Sequence, residues 1–233
     1  MSAYANNSSK NDKKVQTAAR TLYGMRKAKY SSTMVSKAVK AYVNATVSKK
    51  IEASVEKKFH VEINSGTGVD LAGSIADLFS PSQGITDQGR VGDTCELKSW
   101  TLNIRLVGGD SYNMFRLVCF QWHPNSGVNA PTVSAILQST GATGPLSTYN
   151  HDEESSRQFT ILYDKCYAMT LGTSTSQVVS NIRVPLKYAK KKVQFDAATD
   201  EGANKLYMCV ISDSGAAPNP TIESYSRIIY TDA

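Results

Sequence analysis

The sequence predicts an all-β fold: an eight-stranded single jelly-roll sandwich of two four-stranded sheets, preceded by a basic N-terminal arm that contains a helix. Three observations lead there. Runs of alternating apolar and polar residues recur between Lys58 and Tyr230, and alternation puts the apolar side chains on one face of a strand. Gly, Pro, Asn and Asp clusters separate these runs, and no helical pattern of any length interrupts them. Charge is segregated along the chain. Residues 1–58 carry thirteen Lys/Arg and three Asp/Glu, a net of +10, whereas residues 59–233 carry thirteen and seventeen, a net of −4, which together give the overall +6.

The arm comes first, over residues 1–57. Met1–Tyr30 is rich in Ser, Asn, Lys and Ala, and it has too few large apolar groups to offset its chain entropy, so it reads as disordered in isolation. Lys10, Lys13, Lys14, Arg20, Arg26, Lys27 and Lys29 are spread along it. Tyr4, Tyr23 and Tyr30 lie between them, a pattern suited to stacking on unpaired bases. Ser31–Lys58 reads as helical, with Ser31, Ser32 or Thr33 as the cap. Val35, Val39, Val43, Val47, Ile51 and Val55 recur at every fourth residue. Such a stripe drifts around the helix, as suits a helix crossed by neighbours. Lys37, Lys40, Lys49 and Lys50 keep this element basic. A lopsided block of one sign points to a polyanionic partner, and the eleven cations from Lys10 to Lys50 are the candidate nucleic-acid-binding residues.

The body follows, over residues 58–233. Lys58–Ile63 is the first strand, with Phe59, Val61 and Ile63 on one face and Gly66 and Gly68 ending it. Leu71–Phe79 is a helical turn within a long loop that runs to Arg90. Cys95–Val107 and Tyr112–His123 read as two long strands paired through the turn Gly108–Ser111. The first carries Trp100, Leu102, Ile104 and Leu106 on one face. The second carries Met114, Val118, Phe120 and Trp122, with Arg116 on the same parity, close enough to the strand start to reach water. Leu117 and Cys119 make its other parity apolar as well, as expected where both sides are covered, near a subunit contact or a sandwich edge. Pro124–Asn150 is a long connection holding a short helix at Pro131–Gln138. Arg157–Met169, Val178–Tyr188, Lys191–Asp196, Lys205–Ser212 and Ile222–Tyr230 complete the eight strands.

No stretch approaches the roughly 20 apolar residues that span a bilayer, and Met1–Lys14 has no apolar centre of the kind a secretory signal needs. Cys95, Cys119, Cys166 and Cys209 fall inside strands without C-x-x-C spacing, as buried hydrophobes of a reducing compartment do. His60-x-Glu62 matches half of the deaminase zinc motif, but the Pro-Cys-x-x-Cys partner is absent. No phosphate loop or nucleophile elbow is present, so nothing points to an enzyme or a cofactor. Asp152, Glu153 and Glu154 form the one acidic cluster, a solvated loop whose carboxylates are the only candidate calcium ligands, at a subunit contact.

One set of segments resembles a known family. Gln83-Gly84, then Arg90-Val91-Gly92-Asp93, then Leu97-Lys98-Ser99 entering the long strand, is similar to Q-G-…-R-x-G-(D/N)-…-(I/L)-K-S in capsid proteins of small circular Rep-encoding single-stranded DNA viruses. RQFTILYDK (Arg157–Lys165) and LKYAKKKVQF (Leu186–Phe195) are similar to later segments of the same family, and together these cover roughly residues 57–230. Such proteins are single jelly rolls related to satellite tobacco necrosis virus coat proteins, which package RNA. The resemblance implies a virion protein that self-assembles into a small icosahedral T=1 shell, with its arm facing a single-stranded DNA genome. It implies no membrane, and assembly in the host nucleus or cytoplasm. The arm departs from the circoviruses, whose arginine run is denser, so a satellite-virus-like coat protein packaging single-stranded RNA stays open. Outside that family, a non-viral single-strand nucleic-acid-binding protein and a carbohydrate-binding jelly roll fit the same pattern.

Overall fold

The computed structural model describes residues 37, 39–47, 50, 56–123, 130–150, 158–170, 176–196 and 199–232. The chain divides into two units, Met1–Val55 and Glu56–Ala233. In the first, residues 39–47 are helical. The second holds ten strands: β1 (Lys58–Gly68), β2 (Ser74–Asp77), β3 (Thr94–Val107), β4 (Tyr112–Trp122), β5 (Phe159–Thr170), β6 (Gln177–Val184), β7 (Lys192–Phe195), β8 (Gly202–Ala203), β9 (Lys205–Ser212) and β10 (Thr221–Asp232).

Eight of these form the jelly roll. One sheet runs β1-β10-β3-β6 and the other β2-β9-β4-β5, with every pairing antiparallel. The short β7 and β8 extend the first sheet beyond the start of β3. The chain therefore crosses between sheets six times, from β1 to β2, β2 to β3, β3 to β4, β5 to β6, β8 to β9 and β9 to β10. The β1–β2, β3–β4, β5–β6 and β9–β10 corners gather at one end of the sandwich. Val69 N–H donates to the Pro220 carbonyl at 2.8 Å, Leu71 N–H to Ser214 at 2.9 Å and Gly108 N–H to Ser176 at 2.9 Å.

Several expectations are corrected here. The strands β3 and β4 are not a paired hairpin. They lie in opposite sheets, because both edges of β3 are taken by β10 on one side and β6 and β7 on the other. Its inward row of Trp100, Leu102, Ile104 and Leu106 meets Phe115, Leu117 and Cys119 of β4 across the sandwich in one buried cluster. The Gly108–Ser111 turn is the crossing corner. Gly109 sits where an added Cβ would lie 2.1 Å from the Pro218 carbonyl, so only glycine fits. Residues 71–79 are not a helical turn. Asp70 accepts from the N–H groups of Ala72 and Gly73, Gly73 takes φ +71°, and Ser74–Asp77 then runs as β2 against β9. The expected count of eight thus holds by two offsetting errors, a missed β2 and a short β7 counted as a main strand.

Strand β1 continues through Gly66 and Gly68. Gly66 adopts φ +81° inside a register shift between Asn64 and Thr67, so the glycines form a bulge and not an end. Its Phe59–Val61–Ile63 row faces away from the core, with Ile63 64% exposed, while Lys58 and His60 point inward. Strand β6 ends at Val184, before Pro185, short of the expected Tyr188. In β4 both faces are covered by the chain itself. Val118, Phe120 and Trp122 pack under Ile136 and Leu137 of the 130–150 connection, in a second cluster outside the sandwich. That connection holds the expected short helix, Val133–Ile136, capped by Thr132, whose side chain accepts from Ala135 N–H at 3.2 Å. Arg116 does not reach water. It is buried, and its Nε and Nη2 donate to Asp164 at 3.0 and 2.8 Å, because the covering connection closes over that face. Cys95, Cys119 and Cys209 are buried as expected, but Cys166 is exposed, since β5 is an edge strand.

Trp100 is fully buried and its Nε1 donates to Ser226 at 2.9 Å across the β3–β10 pair. Trp100→Ala should destabilise the body by about 3–5 kcal/mol in a urea titration. Thr101→Ala, on the outward parity of the same strand, should change stability by less than about 0.5 kcal/mol. Equal effects would mean that the faces of β3 are assigned wrongly.

Candidate nucleic-acid interface

In the arm helix, Val39, Val43 and Val47 recur at every fourth position, and each is 48% exposed, so this apolar stripe is half-open. Lys37 and Lys40, one turn apart, are exposed beside it, and Lys50 follows. Tyr42 is exposed and accepts from Thr46 Oγ1 through its carbonyl at 2.9 Å. A helix built this way offers phosphates a row of cations and offers another helix a valine seam. Lys10, Lys13, Lys14, Arg20, Arg26, Lys27, Lys29 and Lys49 lie outside the described residues, as do Ser31–Thr33, Val35, Ile51 and Val55, and the acidic cluster Asp152, Glu153 and Glu154. Among the described residues, no group of three or more His, Cys, Asp or Glu is placed to hold a metal ion, and no helix is long and apolar enough to cross a membrane.

The body begins at a charged clamp. Lys58, the first residue of β1, is buried, with its Nζ 2.9 Å from Asp232 and 2.9 Å from the Gly89 carbonyl. Arg90 is completely buried. Its Nη1 donates to the Gly92 carbonyl at 2.9 Å and to Asp93 at 3.1 Å, its Nη2 donates to the Thr199 carbonyl at 2.9 Å, and its guanidinium lies 4.5 Å from the Phe195 ring centroid. Gln83 and Arg90 form a β-bridge, and Gly84 N–H donates to the Arg90 carbonyl at 2.8 Å. The Gln83–Asp93 motif is therefore a structural clip that ties the β2–β3 loop to β7 and to residue 199. A buried cation with this many partners is costly to leave half-paired, which explains an arginine there and not a lysine.

Two further charged clusters lie on the second sheet, one at the start of β9 and one midway along β4 and β5. Lys205 is buried, with its Nζ against Asp77 and 2.9 Å from Ser80 Oγ. Arg116, Asp164 and Tyr149 form the other. Burial opposes ionisation of Asp164, but the hydrogen bonds from Arg116 and Tyr149 outweigh it and hold this carboxyl below the usual range. Burial pushes the Tyr149 hydroxyl well up, and burial raises the Cys95 and Cys209 thiols to about 12, which leaves them unreactive. Burial likewise lowers His60, which stands edge-on to Phe79 in β1, and His123, whose ring nitrogens meet Asn204 Oδ1 at 2.6 Å and Thr160 Oγ1 at 2.9 Å.

Sequence reasoning placed no nucleic-acid-binding residue on the body. It therefore did not weigh the exposed cations there: Arg183 and Arg227 on the outward face of the first sheet, Lys187, Lys190 and Lys191 in the turn after β6, and Lys192 at the start of β7. The signal for the turn was in view as the run LKYAKKKVQF.

The model of one protein family, the satellite tobacco necrosis virus coat protein family, matches residues 26–233. No curated protein matches the chain by sequence. Among solved structures, that of Desmodium yellow mottle tymovirus is similar with TM-score 0.41 and 8% identity, covering 76% of this chain and 87% of that one. Turnip yellow mosaic virus is similar with TM-score 0.38 and 12% identity over 76% and 93%. Tobacco necrosis virus gives 0.27 and 12% over 76% and 94%. Scores this low carry no argument by themselves, and the assignment rests on the family match.

The buried histidines and Asp164 set a pH dependence. Each is held below its ordinary value of 6.5 or 3.8, so as pH falls the unfolded chain takes up protons before the folded one. Their stabilisation is complete above the unfolded value and is lost as pH falls through the folded value. The melting temperature of the body should fall first below pH 6.5, from the two histidines, and again below pH 3.8, from Asp164. Replacing both histidines (His60→Gln, His123→Gln) should flatten the first step in a series of thermal melts. A step of unchanged size would assign it to other groups.

Proposed function

The chain belongs to the satellite tobacco necrosis virus coat protein family, and from that premise we propose that it assembles into a small icosahedral T=1 shell that packages a single-stranded DNA genome through its basic N-terminal arm. It is a viral capsid protein, a component of the virion, and its role is structural. The observation that carries the packaging reading is the continuity of a net +10 segment, residues 1–58, with the first strand of a jelly roll whose remaining residues sum to −4. Cations gathered on one end of a shell subunit neutralise phosphate and release counterions, and this needs no base-reading module. Self-association has surface to draw on: Ile85, Tyr112, Leu146 and Val179 are between 69% and 93% exposed. Closed symmetric assembly lets one small chain enclose a large volume.

A second reading is specific enough to keep. The family match is to satellite-virus coat proteins, which package RNA, and the residues resembling the DNA-virus pattern serve in this structure as a fold clip and as strands. The two readings share the shell and the arm and differ in the sugar. Purified particles treated with nuclease, then opened and digested separately with DNase and RNase, decide between them. DNA-only content supports the first reading, and RNA-only content supports the second. Absence of particles in negative stain would return the chain to a single-strand-binding protein.

The two halves of the arm should separate by mutation. Neutralising Lys10, Lys13, Lys14, Arg20, Arg26, Lys27 and Lys29 should leave particles of normal diameter with less nucleic acid, measured by absorbance ratio and sedimentation. The salt dependence of single-strand binding should flatten by roughly 0.7 in log–log slope for every phosphate that the neutralised chain no longer holds. Replacing Val39, Val43 and Val47 with Asp should impair assembly itself. A fully loaded particle from the neutralised chain would show that the arm is not the packaging element.

A further inference from the structure

We propose that the basic turn after β6, together with Lys98 and Arg183 of the adjoining strands, is a second contact surface for packaged single-stranded nucleic acid, on the folded body and separate from the arm. The inference rests on the packaging reading above. Lys187, Lys190, Lys191 and Lys192 are all exposed within six residues. Tyr188 stands among them, 66% exposed, with Lys187 Nζ 4.4 Å from its ring centroid. Cations interleaved with an exposed aromatic suit single strands, because phosphates take the charges while an unpaired base stacks on the ring. Beside the turn, an open groove of about 270 Å³ runs between β3 and the end of β6, with Lys98 and Arg183 in its lining. Four carboxylates of the adjoining elements are engaged: Glu96, opposite Lys192, pairs with Lys98 at 2.9 Å, Asp93 with Arg90 at 3.1 Å and Asp232 with Lys58 at 2.9 Å, and Asp77 pairs with Lys205. The turn lysines are thus surplus positive charge on a body whose net charge is negative.

Position selects the partner. Lys58 begins β1 and sits opposite Tyr230, which sits opposite Leu97, whose N–H donates to the Lys191 carbonyl at 2.7 Å. The strand that follows the arm and the basic turn therefore share one end of the sheet, with only the end of β10 and the start of β3 between them. A sulfated glycan on a host surface has the same anionic chemistry, but nothing on this end favours it over the strand the arm already holds.

The test uses full-length chain assembled into particles. Three forms are compared: the native chain, Lys187→Gln/Lys190→Gln/Lys191→Gln/Lys192→Gln, and the same four positions changed to Arg. Ultraviolet cross-linking of packaged nucleic acid, followed by peptide mapping, should place nucleotide adducts on the peptide containing Tyr188. The Gln form should keep its diameter and lose about a quarter of its nuclease-protected nucleotides, the share of these four cations when added to the eleven from Lys10 to Lys50, if each neutralises one phosphate. The Arg form should keep a native load. Adducts confined to the arm, with an unchanged load in the Gln form, overturn the proposal. So does loss of heparin-column retention by intact Gln particles with full load, which places the turn outside as a glycan contact. Native particles that carry no nucleic acid at all overturn the packaging reading itself, a result distinct from either.

Discussion

The body depends on one contact surface, the closure of β3 over β4 across the sandwich. Trp100, Leu102, Ile104 and Leu106 on one side and Phe115, Leu117 and Cys119 on the other are each 2% exposed or less. Neither sheet is stable with its apolar row in water, so each exists because the other covers it. The corners follow from that requirement. Once β3 is held by β10 and β6, the next strand must leave the sheet, and the glycine pair at Gly108-Gly109 lets it turn against Pro218 and cross. The long connection 130–150 follows as well. Strand β4 carries a second apolar row of Val118, Phe120 and Trp122, and Ile136 and Leu137 close over it. Burial on both faces then forces Arg116 to find Asp164.

The fold class was legible because period-two alternation is a direct readout of burial, and it was strongest in β3 and β6, whereas β9 reads as a continuous apolar run because all of its residues are buried. What sequence could not show was partner choice. The alternation in β3 and β4 is the same whether they pair in one sheet or face each other from two, and only the saturated edges of β3 decide it. Strand β2 escaped because Leu71, Ile75, Leu78 and Phe79 are spaced as on a helix, whereas in the structure Leu78 and Phe79 drop into the core beyond a four-residue strand. In β1 the apolar Phe59–Val61–Ile63 row lies outward because charged Lys58 is needed inward against Asp232. Arg116 shows the same limit: a single arginine on an apolar parity reads as a snorkelling group until a carboxylate on the neighbouring strand is known to be within 3 Å.

Charge was legible in a different way. Along the arm it appears as composition, since a segment that buries little is free to be basic throughout. Within the body, the charges that first draw the eye mostly serve the fold. Arg90, Lys58 and Lys205 are buried and clamp loops to strand ends, and Arg105 on the outward face is taken up by Glu223. A motif that resembles a family signature can therefore mark a folding constraint shared by relatives, and it need not mark a ligand.

This distinction bears on where a shell protein can carry genome-binding charge. On a strand, an outward cation is flanked at close range by cross-strand neighbours, and a partner such as Glu223 opposite Arg105 both stabilises the ladder and cancels the charge. In a turn beyond the last ladder pair that constraint disappears. After Pro185 ends β6, Lys187, Lys190 and Lys191 lie outside any ladder pair, and the chain there is held by Ala189 against the core and by hydrogen bonds of the Lys191 carbonyl to Leu97 and the Lys190 carbonyl to Gln121, before Lys192 opens β7 opposite Glu96. The backbone there is held by Gln121, whose amide oxygen also accepts from Lys190 N–H at 2.7 Å, while the side chains stay in solvent. Fixed backbone with free cationic side chains is the arrangement that binds a polyanion at low ordering cost, because only the lysine rotamers remain to be fixed. The arm is the reverse case by composition, with more charge spread over a longer segment. A subunit that has both can capture a strand with the arm and settle it against the turn.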